Sequence, residues 1–270
     1  MENDNHTSKS LHNWDKLAAE NPIHAAIATA DEVGEKQKSA DTIALLKDKL
    51  TSGVILDVGC GYGRIAKYLL PLRKFERYIG LDGSEMMLGH FRQLYETKLK
   101  DFGTPVLLIQ SAIDDLPLED NSVDDVIVSA VFLHNNKMTT RRSVTEIYRV
   151  LKPGGQFFVF GSFPNLVNLQ GLQGSAYCLF LSMIGKSMKN GPVRYFKKKE
   201  IKELLKNFSH IEISSMGLVT IPKRILLFPS RLNRLYQKIL FPIIHKILSK
   251  LLTARGQKTL CASFDVYAVK

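Results

Sequence analysis

Leu56-Asp57-Val58-Gly59-Cys60-Gly61-Tyr62-Gly63-Arg64 decides how the rest of the chain reads. The run leading into it, from Gly53 to Val58, is almost wholly apolar, the pattern of a strand buried on both faces. Arg64 to Leu72 then reads as a helix that stops near Pro71. Glycines at 59, 61 and 63 let the backbone turn sharply and approach a ligand with no Cβ in the way. The helix N-terminus behind them presents N–H groups to a carboxylate or phosphate. A dinucleotide fingerprint would place its third glycine at position 64, where this chain has Arg64, so a pyrophosphate ligand is disfavoured. Asp57, just ahead of the loop, is placed to meet a cationic amine.

The alternation continues on both sides. Arg77–Asp82, Pro105–Gln110, Val123–Ala130 and Gln156–Gly161 read as strands, Ser84–Lys100 and Met138–Leu151 as helices. Upstream, Trp14 to Leu50 suits two or three helices, one of them opening at Asp41 as a cap, behind a polar and frayed first dozen residues. After Gly161 the alternation pauses, and Phe196–Phe208 reads as a helix between strands at His210–Met216 and Leu260–Val269. Strands and helices in this order predict an α/β fold with a mostly parallel sheet covered on both faces. Asp82 closes the second strand, where a carboxylate can accept both hydroxyls of a ribose. Either acid alone is equally well a turn or cap residue. The glycine loop and Asp82 together favour a nucleoside.

At this point the sequence resembles the class I S-adenosylmethionine-dependent methyltransferases. LDVGCGYGR is similar to their first motif, IGLDGSEMM to the segment with the ribose-binding acid, and LKPGGQFFVFG to the segment entering the fifth strand. QSAIDDLPLEDNSVDDVIVSAVFLH is similar to the stretch from the adenine contact through the fourth strand. The likeness is dense over 53–161 and loose through the last two strands. It implies a seven-stranded Rossmann-like sheet and S-adenosylmethionine as cofactor. It also implies that Asp57, Gly59, Cys60, Gly61 and Gly63 cradle the methionine part and Asp82 the ribose. Gly83 and Met87 would lie beside ribose and adenine, Ala112 and Ile113 at the adenine edge, Ser129 and Ala130 near the sulfonium. Relatives commonly have an acid where this chain has Ser111, so adenine recognition would pass to the backbone N–H of Ile113 or to Asp114.

For the acceptor, His134 follows the fourth strand and puts an imidazole near the reaction centre, suited to taking a proton from a hydroxyl. Lining the pocket or holding a loop is the plainer role. No Asn/Asp-Pro-Pro-aromatic segment follows that strand, and no Pro-Cys pair offers a thiolate; Cys60, Cys178 and Cys261 lie elsewhere. Asp124 and Asp125 read as strand-entry residues rather than metal ligands, so no metal is expected. Trp14, with the segment to Ile27, reads as a lid or wall over the cofactor, or as a packing anchor. Arg194 and Tyr195 are candidate substrate contacts, although helix entry explains them equally.

The 270 residues carry a net charge of +11, but it is segregated. Residues 1–185 sum to −3 and residues 186–270 to +14. From Ile213 to Phe264 there are nine basic side chains and no acidic one. Pro153 to Gly185 has no charged residue, and Ser162 to Gly185 reads as an apolar wall or lid, too interrupted by polar residues to span a bilayer. From Leu232 to Leu252 apolar pairs recur about every four residues; Pro229 can open a helix there and Pro242 should kink or divide it. Two basic amphipathic helices are therefore expected. They could lie on an anionic membrane surface, cap the active site or bind RNA, the last disfavoured for want of aromatic-basic interleaving.

The resulting expectation has an N-terminal helical cap over 1–50 and a methyltransferase domain over 51–270, with inserts at about 162–195 and 219–258. With no basic n-region and apolar run at the start, the chain reads as cytoplasmic, peripheral at a membrane if the helices bind one. The expected activity is methyl transfer to a small hydrophobic, glycan or lipid-linked acceptor, at oxygen. An RNA methyltransferase and a non-catalytic S-adenosylmethionine-binding regulator are the alternatives. Nothing in the sequence speaks to oligomeric state.

Overall fold

The computed structural model describes residues 14–20, 22, 32–186, 193–219, 221, 222, 225 and 229–270. The seven strands are β1 (Val54–Val58), β2 (Arg77–Asp82), β3 (Val106–Gln110), β4 (Val123–Ser129), β5 (Leu151–Pro164), β6 (His210–Leu218) and β7 (Cys261–Val269). They form one sheet in the order β3-β2-β1-β4-β5-β7-β6. β7 runs antiparallel to both β5 and β6, and the other pairings are parallel.

The apolar runs are strands because both of their faces are covered, and successive side chains point to opposite faces. Leu56, Val58, Val126, Val128, Phe157 and Val159 build one core. Their neighbours Ile55, Ile127 and Phe158 build the other. The first is roofed by α5 (Lys137–Val150), through Val144 and Ile147, and by α7 (Lys198–Leu204) through Ile201. The second takes Ile43 and Leu46 from α2 (Glu32–Lys49), Ile65 and Leu69 from α3 (Arg64–Leu69), and Leu88 and Phe91 from α4 (Glu85–Leu94). Fully burying each such side chain is worth about 1.5–3 kcal/mol. A smaller cluster joins Leu17 and Ala18 of α1 (14–20) to Tyr62 and Met87, with Trp14 against it.

Several elements differ from the sequence reading. Asp41 caps nothing: α2 is continuous and Asp41 lies inside it. Ser84 caps α4 by accepting from Met87 N, but regular helix ends at Leu94 and passes through a π turn (Tyr95–Leu99) and a 3-10 turn (Lys100–Phe102). β5 is longer than expected at both ends. Of the Phe196–Phe208 helix only Lys198–Leu204 is helical, because Phe196 instead bridges to Asn165. Ser162–Gly185 contains a helix, α6 (Leu169–Met183), capped by Asn168. As Pro229 and Pro242 required, α8 (Ser230–Leu235) starts after Pro229 and yields through a π turn (Tyr236–Leu240) to α9 (Phe241–Leu251), with Pro242 in its first turn. α10 (Ala254–Thr259) then leads into β7. The part of the expected lid at 21 and 23–27, the N-terminal dozen, and residues 220, 223, 224 and 226–228 of the second insert lie outside the described residues. Among those described, no helix is long and apolar enough to cross a membrane.

Candidate functional site

The chain goes from β1 out to β2 and β3, then returns to place β4 on the other side of β1. A crevice opens beyond the strands' carboxyl ends at such a reversal, and here it is a cleft of about 1200 Å³, its open mouth included. Its walls come from the β1–α3 loop, the end of β2, the segment after β3, the turn after β4, and Trp14.

The glycine loop takes its shape from three left-handed residues, Gly59 (φ 71°), Gly61 (φ 56°) and Gly63 (φ 85°). Gly59 N and Cys60 N donate to Leu81 O at 2.7 and 3.0 Å, which ties the loop to the end of β2. A Cβ at Gly59 would stand 2.4 Å from Cγ2 of Val131, so the loops after β1 and β4 approach closely only because that atom is missing. At Gly61 the nearest atom would be Met87 Sδ at 4.0 Å, which leaves open space beside its Cα.

Asp82 is oriented by two backbone amides, Gly61 N at 2.9 Å on Oδ2 and Ser84 N at 2.9 Å on Oδ1. Each oxygen keeps acceptor capacity for a ligand hydroxyl. Burial pushes its carboxyl up. Asp57 is fully buried and accepts from the Tyr78 hydroxyl at 2.7 Å. Burial pushes its carboxyl up to about 6, against the opposing pull of Tyr78 and Arg64. A ligand cation beside it would favour the ionised form.

Beyond β4, Ala130 adopts φ 60°, unusual for a residue with a Cβ. The turn is held by Ala130 N on Phe160 O and Val131 N on Ser162 Oγ. His134 follows in a 3-10 turn (Phe132–His134), its ring edge-on to Trp14 with centroids 5.0 Å apart. Asp15 accepts from the Ser84 hydroxyl, which pins α1 and therefore Trp14 at this wall.

Of the residues singled out from the sequence, Trp14, Asp57, Gly59, Cys60, Gly61, Asp82, Gly83, Met87, Ala112, Ile113, Ser129, Ala130 and His134 line the cleft. Ser111 and Asp114 line it too, with the Ser111 hydroxyl donating to Asp115 O. Three do not. Gly63 stands behind the loop, where a Cβ would lie 2.4 Å from the Phe91 ring. Arg194 pairs with Glu200, bonds Thr140 Oγ1 and lies over Phe196. Tyr195 faces α6, its hydroxyl beside Gly174. Arg64, quoted in the motif but given no site role, is buried in the cleft wall and donates to Ser39 Oγ and Ser129 Oγ. Tyr62, Asn135, Asn136 and Thr139 also line the cleft; only their nearness to Gly61 and His134 could have signalled them. Burial pushes the Cys60 thiol up, away from nucleophilic use. Among the described residues no group of three His, Cys, Asp or Glu side chains could hold a metal ion.

Comparison with known proteins agrees with this geometry. Residues 56–159 match the family model described as a methyltransferase domain. A demethylmenaquinone methyltransferase of Symbiobacterium thermophilum is 40% identical over 109 residues, 38% of this chain and 40% of that protein. A probable S-adenosylmethionine-dependent methyltransferase of Mycolicibacterium smegmatis is 34% identical over 113 residues, 42% of this chain and 38% of that protein. The match thus spans about two-fifths of the length of these curated relatives. In fold, the magnesium protoporphyrin IX methyltransferase of Synechocystis, solved with bound S-adenosylhomocysteine, superposes with a TM-score of 0.60 at 13% identity, over 98% of this chain and 99% of that one.

Proposed function

From a chain that carries a class I, S-adenosylmethionine-dependent methyltransferase domain, we propose methyl transfer to a hydroxyl of a small hydrophobic, glycan or lipid-linked metabolite in the cytoplasm. The observation that carries this reading is that one cleft contains the glycine loop, the pinned Asp82 and the His134 imidazole. The cleft suits the cofactor: Asp82 has two oriented oxygens for ribose hydroxyls, and the space beside Gly61 would be closed by any side chain. Asp57 would meet the ammonium group, and Met87 and Ile113 would flank the adenine. When bound, S-adenosylmethionine supplies an electrophilic methyl group.

The protein's contribution is alignment and proton transfer. His134 would take the acceptor hydroxyl's proton as that oxygen is methylated. Trp14 and Val131, beside His134, give this end of the cleft apolar walls, in keeping with a hydrophobic acceptor. The demethylmenaquinone named for one relative is of that kind.

The test is transfer of labelled methyl into fractionated cell extracts, with and without nuclease. Label in a small-molecule or lipid fraction is expected. Nuclease-sensitive label would replace this reading with RNA methylation, and no label in any fraction would favour a regulator that binds the cofactor without turnover.

A further inference from the structure

The second excursion from the sheet leaves and returns at one edge, and the first leaves from that edge too. β5 ends at Pro164, β6 ends at Leu218, and β7 begins beside them at Cys261. The glycine loop, Asp82 and Ser129 lie on the same edge, because β1, β2, β4 and β5 are parallel. The helices of the second excursion are therefore carried on the cleft's side of the sheet.

Those helices turn their apolar side outward. At about 100° per residue, Ile243, Ile244, Ile247 and Leu251 of α9, with Leu240 just before it, fall within one arc about 100° wide, bordered on one side by Lys246 and Lys250. Phe241, His245 and Leu248 fall outside that arc and are half-buried. Ile243 is 54% exposed, Ile247 55% and Leu251 75%, and Leu232, Leu235 and Ile239 before them are each more than half exposed. No residue of α9 is buried. A contiguous apolar face of this kind marks an interaction surface.

Charge selects the partner. The nine basic residues between Ile213 and Phe264 have no acid in their own stretch of sequence. Among the described residues, Arg231, Arg234, Lys238, Lys246 and Lys250 form no ion pair. Among the described residues of the helices no free base-stacking platform is offered, since Tyr236 is buried and Phe241 stacks on His245. An apolar stripe bordered by uncompensated cations matches an anionic lipid surface, apolar beneath and negative above.

We propose that Leu235, Ile239, Ile243, Ile247 and Leu251 dock the protein on an anionic bilayer, with α8 and α9 lying in the interface and the cleft edge turned toward it. Their purpose rests on the proposed function: a lipid-borne acceptor reaches the cleft without crossing water. The docking itself does not depend on turnover.

Flotation of the full chain with phosphatidylcholine vesicles, with and without phosphatidylglycerol, tests this. Two variants accompany it, I243S/I247S/L251S and K246E/K250E, both altering exposed side chains. The protein should float with phosphatidylglycerol vesicles at low salt and be released by high salt. Either variant should lose at least about tenfold in bound fraction, with S-adenosylhomocysteine affinity, measured by calorimetry, unchanged. Absence of flotation at low salt, or variants that float like the parent, would overturn the proposal. So would a dimer in light scattering that the triple variant dissolves while vesicle binding stays absent. Flotation in a protein that binds no S-adenosylhomocysteine would uphold docking and remove the methyl-transfer reading.

Discussion

Gly61 and Gly63 share a left-handed backbone, yet alanine at the two positions should have different consequences. Both pay the left-handed cost of a residue with a Cβ, about 1–2 kcal/mol. At Gly61 little is added, because the nearest atom to the new methyl is Met87 Sδ at 4.0 Å. At Gly63 the methyl would lie 2.4 Å from Cδ2 and 2.7 Å from Cε2 of Phe91, a fully buried ring that also packs beside Gly80. Overpacking of this kind costs about 1–3 kcal/mol more. Gly61→Ala should therefore lose about 1–2 kcal/mol and Gly63→Ala about 2–5 kcal/mol. Binding should order them the other way. The Gly61 methyl enters space left for the ligand, whereas Gly63 stands behind the wall. Urea unfolding followed by far-ultraviolet circular dichroism measures the first quantity. Quenching of Trp14, the single tryptophan and a cleft residue, by S-adenosylhomocysteine measures the second. Equal destabilisation of the two variants would refute the packing argument, and weaker binding by folded Gly63→Ala than by Gly61→Ala would refute the assignment of the wall.

Asp57→Asn should stabilise the unliganded protein only where Asp57 is ionised. The folded carboxyl titrates at about 6 and its ordinary value is 3.8. A raised folded value means stability is full below about pH 4 and is lost as pH rises through 6, by about 3 kcal/mol. The variant should match the parent near pH 4, exceed it above pH 7 by up to about 3 kcal/mol, and bind S-adenosylhomocysteine more weakly; an identical pH dependence of melting in both proteins would contradict this. His134→Gln should lower kcat by about 10²–10⁴-fold with cofactor affinity intact, and unchanged turnover would remove His134 as base. Asn165, almost wholly buried, donates to Thr259 O and Cys261 O and accepts from Val167 N. Asn165→Ala should cost about 3 kcal/mol in urea unfolding, and a loss under about 1 kcal/mol would show that these groups find other partners.

The strands β1 and β2 were legible because each is short, apolar and closed by glycine or an acid, a pattern that needs no distant partner to be recognised. The Leu169–Met183 helix was not. Its segment reads as an apolar wall or lid interrupted by polar residues, but a Cβ at Gly171 would fall 2.0 Å from Asn165 O and one at Gly174 2.0 Å from the Tyr195 hydroxyl. They are small because other segments pass close, and local periodicity carries no trace of that. Asp41 misled for the converse reason: a good capping residue is also a tolerable one on the solvent side of a long helix. At the site, Asp82 and the loop glycines could be found because their roles are set by backbone turns a few residues away. Arg64 could not, because its partners Ser39 and Ser129 lie 25 and 65 residues distant.

The sequence by itself determined the alternation of strands and helices, the glycine turn and the acid that follows it, and the segregation of positive charge. Each follows from local sterics or composition. Only the tertiary structure decided that β7 enters antiparallel between β5 and β6, which makes the second excursion leave and return on the cleft's edge. It also decided that Trp14 meets His134 across 120 residues of chain, and that the apolar side of α9 faces outward. Pattern reveals that a helix has two sides; which side stays wet depends on what the rest of the chain has already covered.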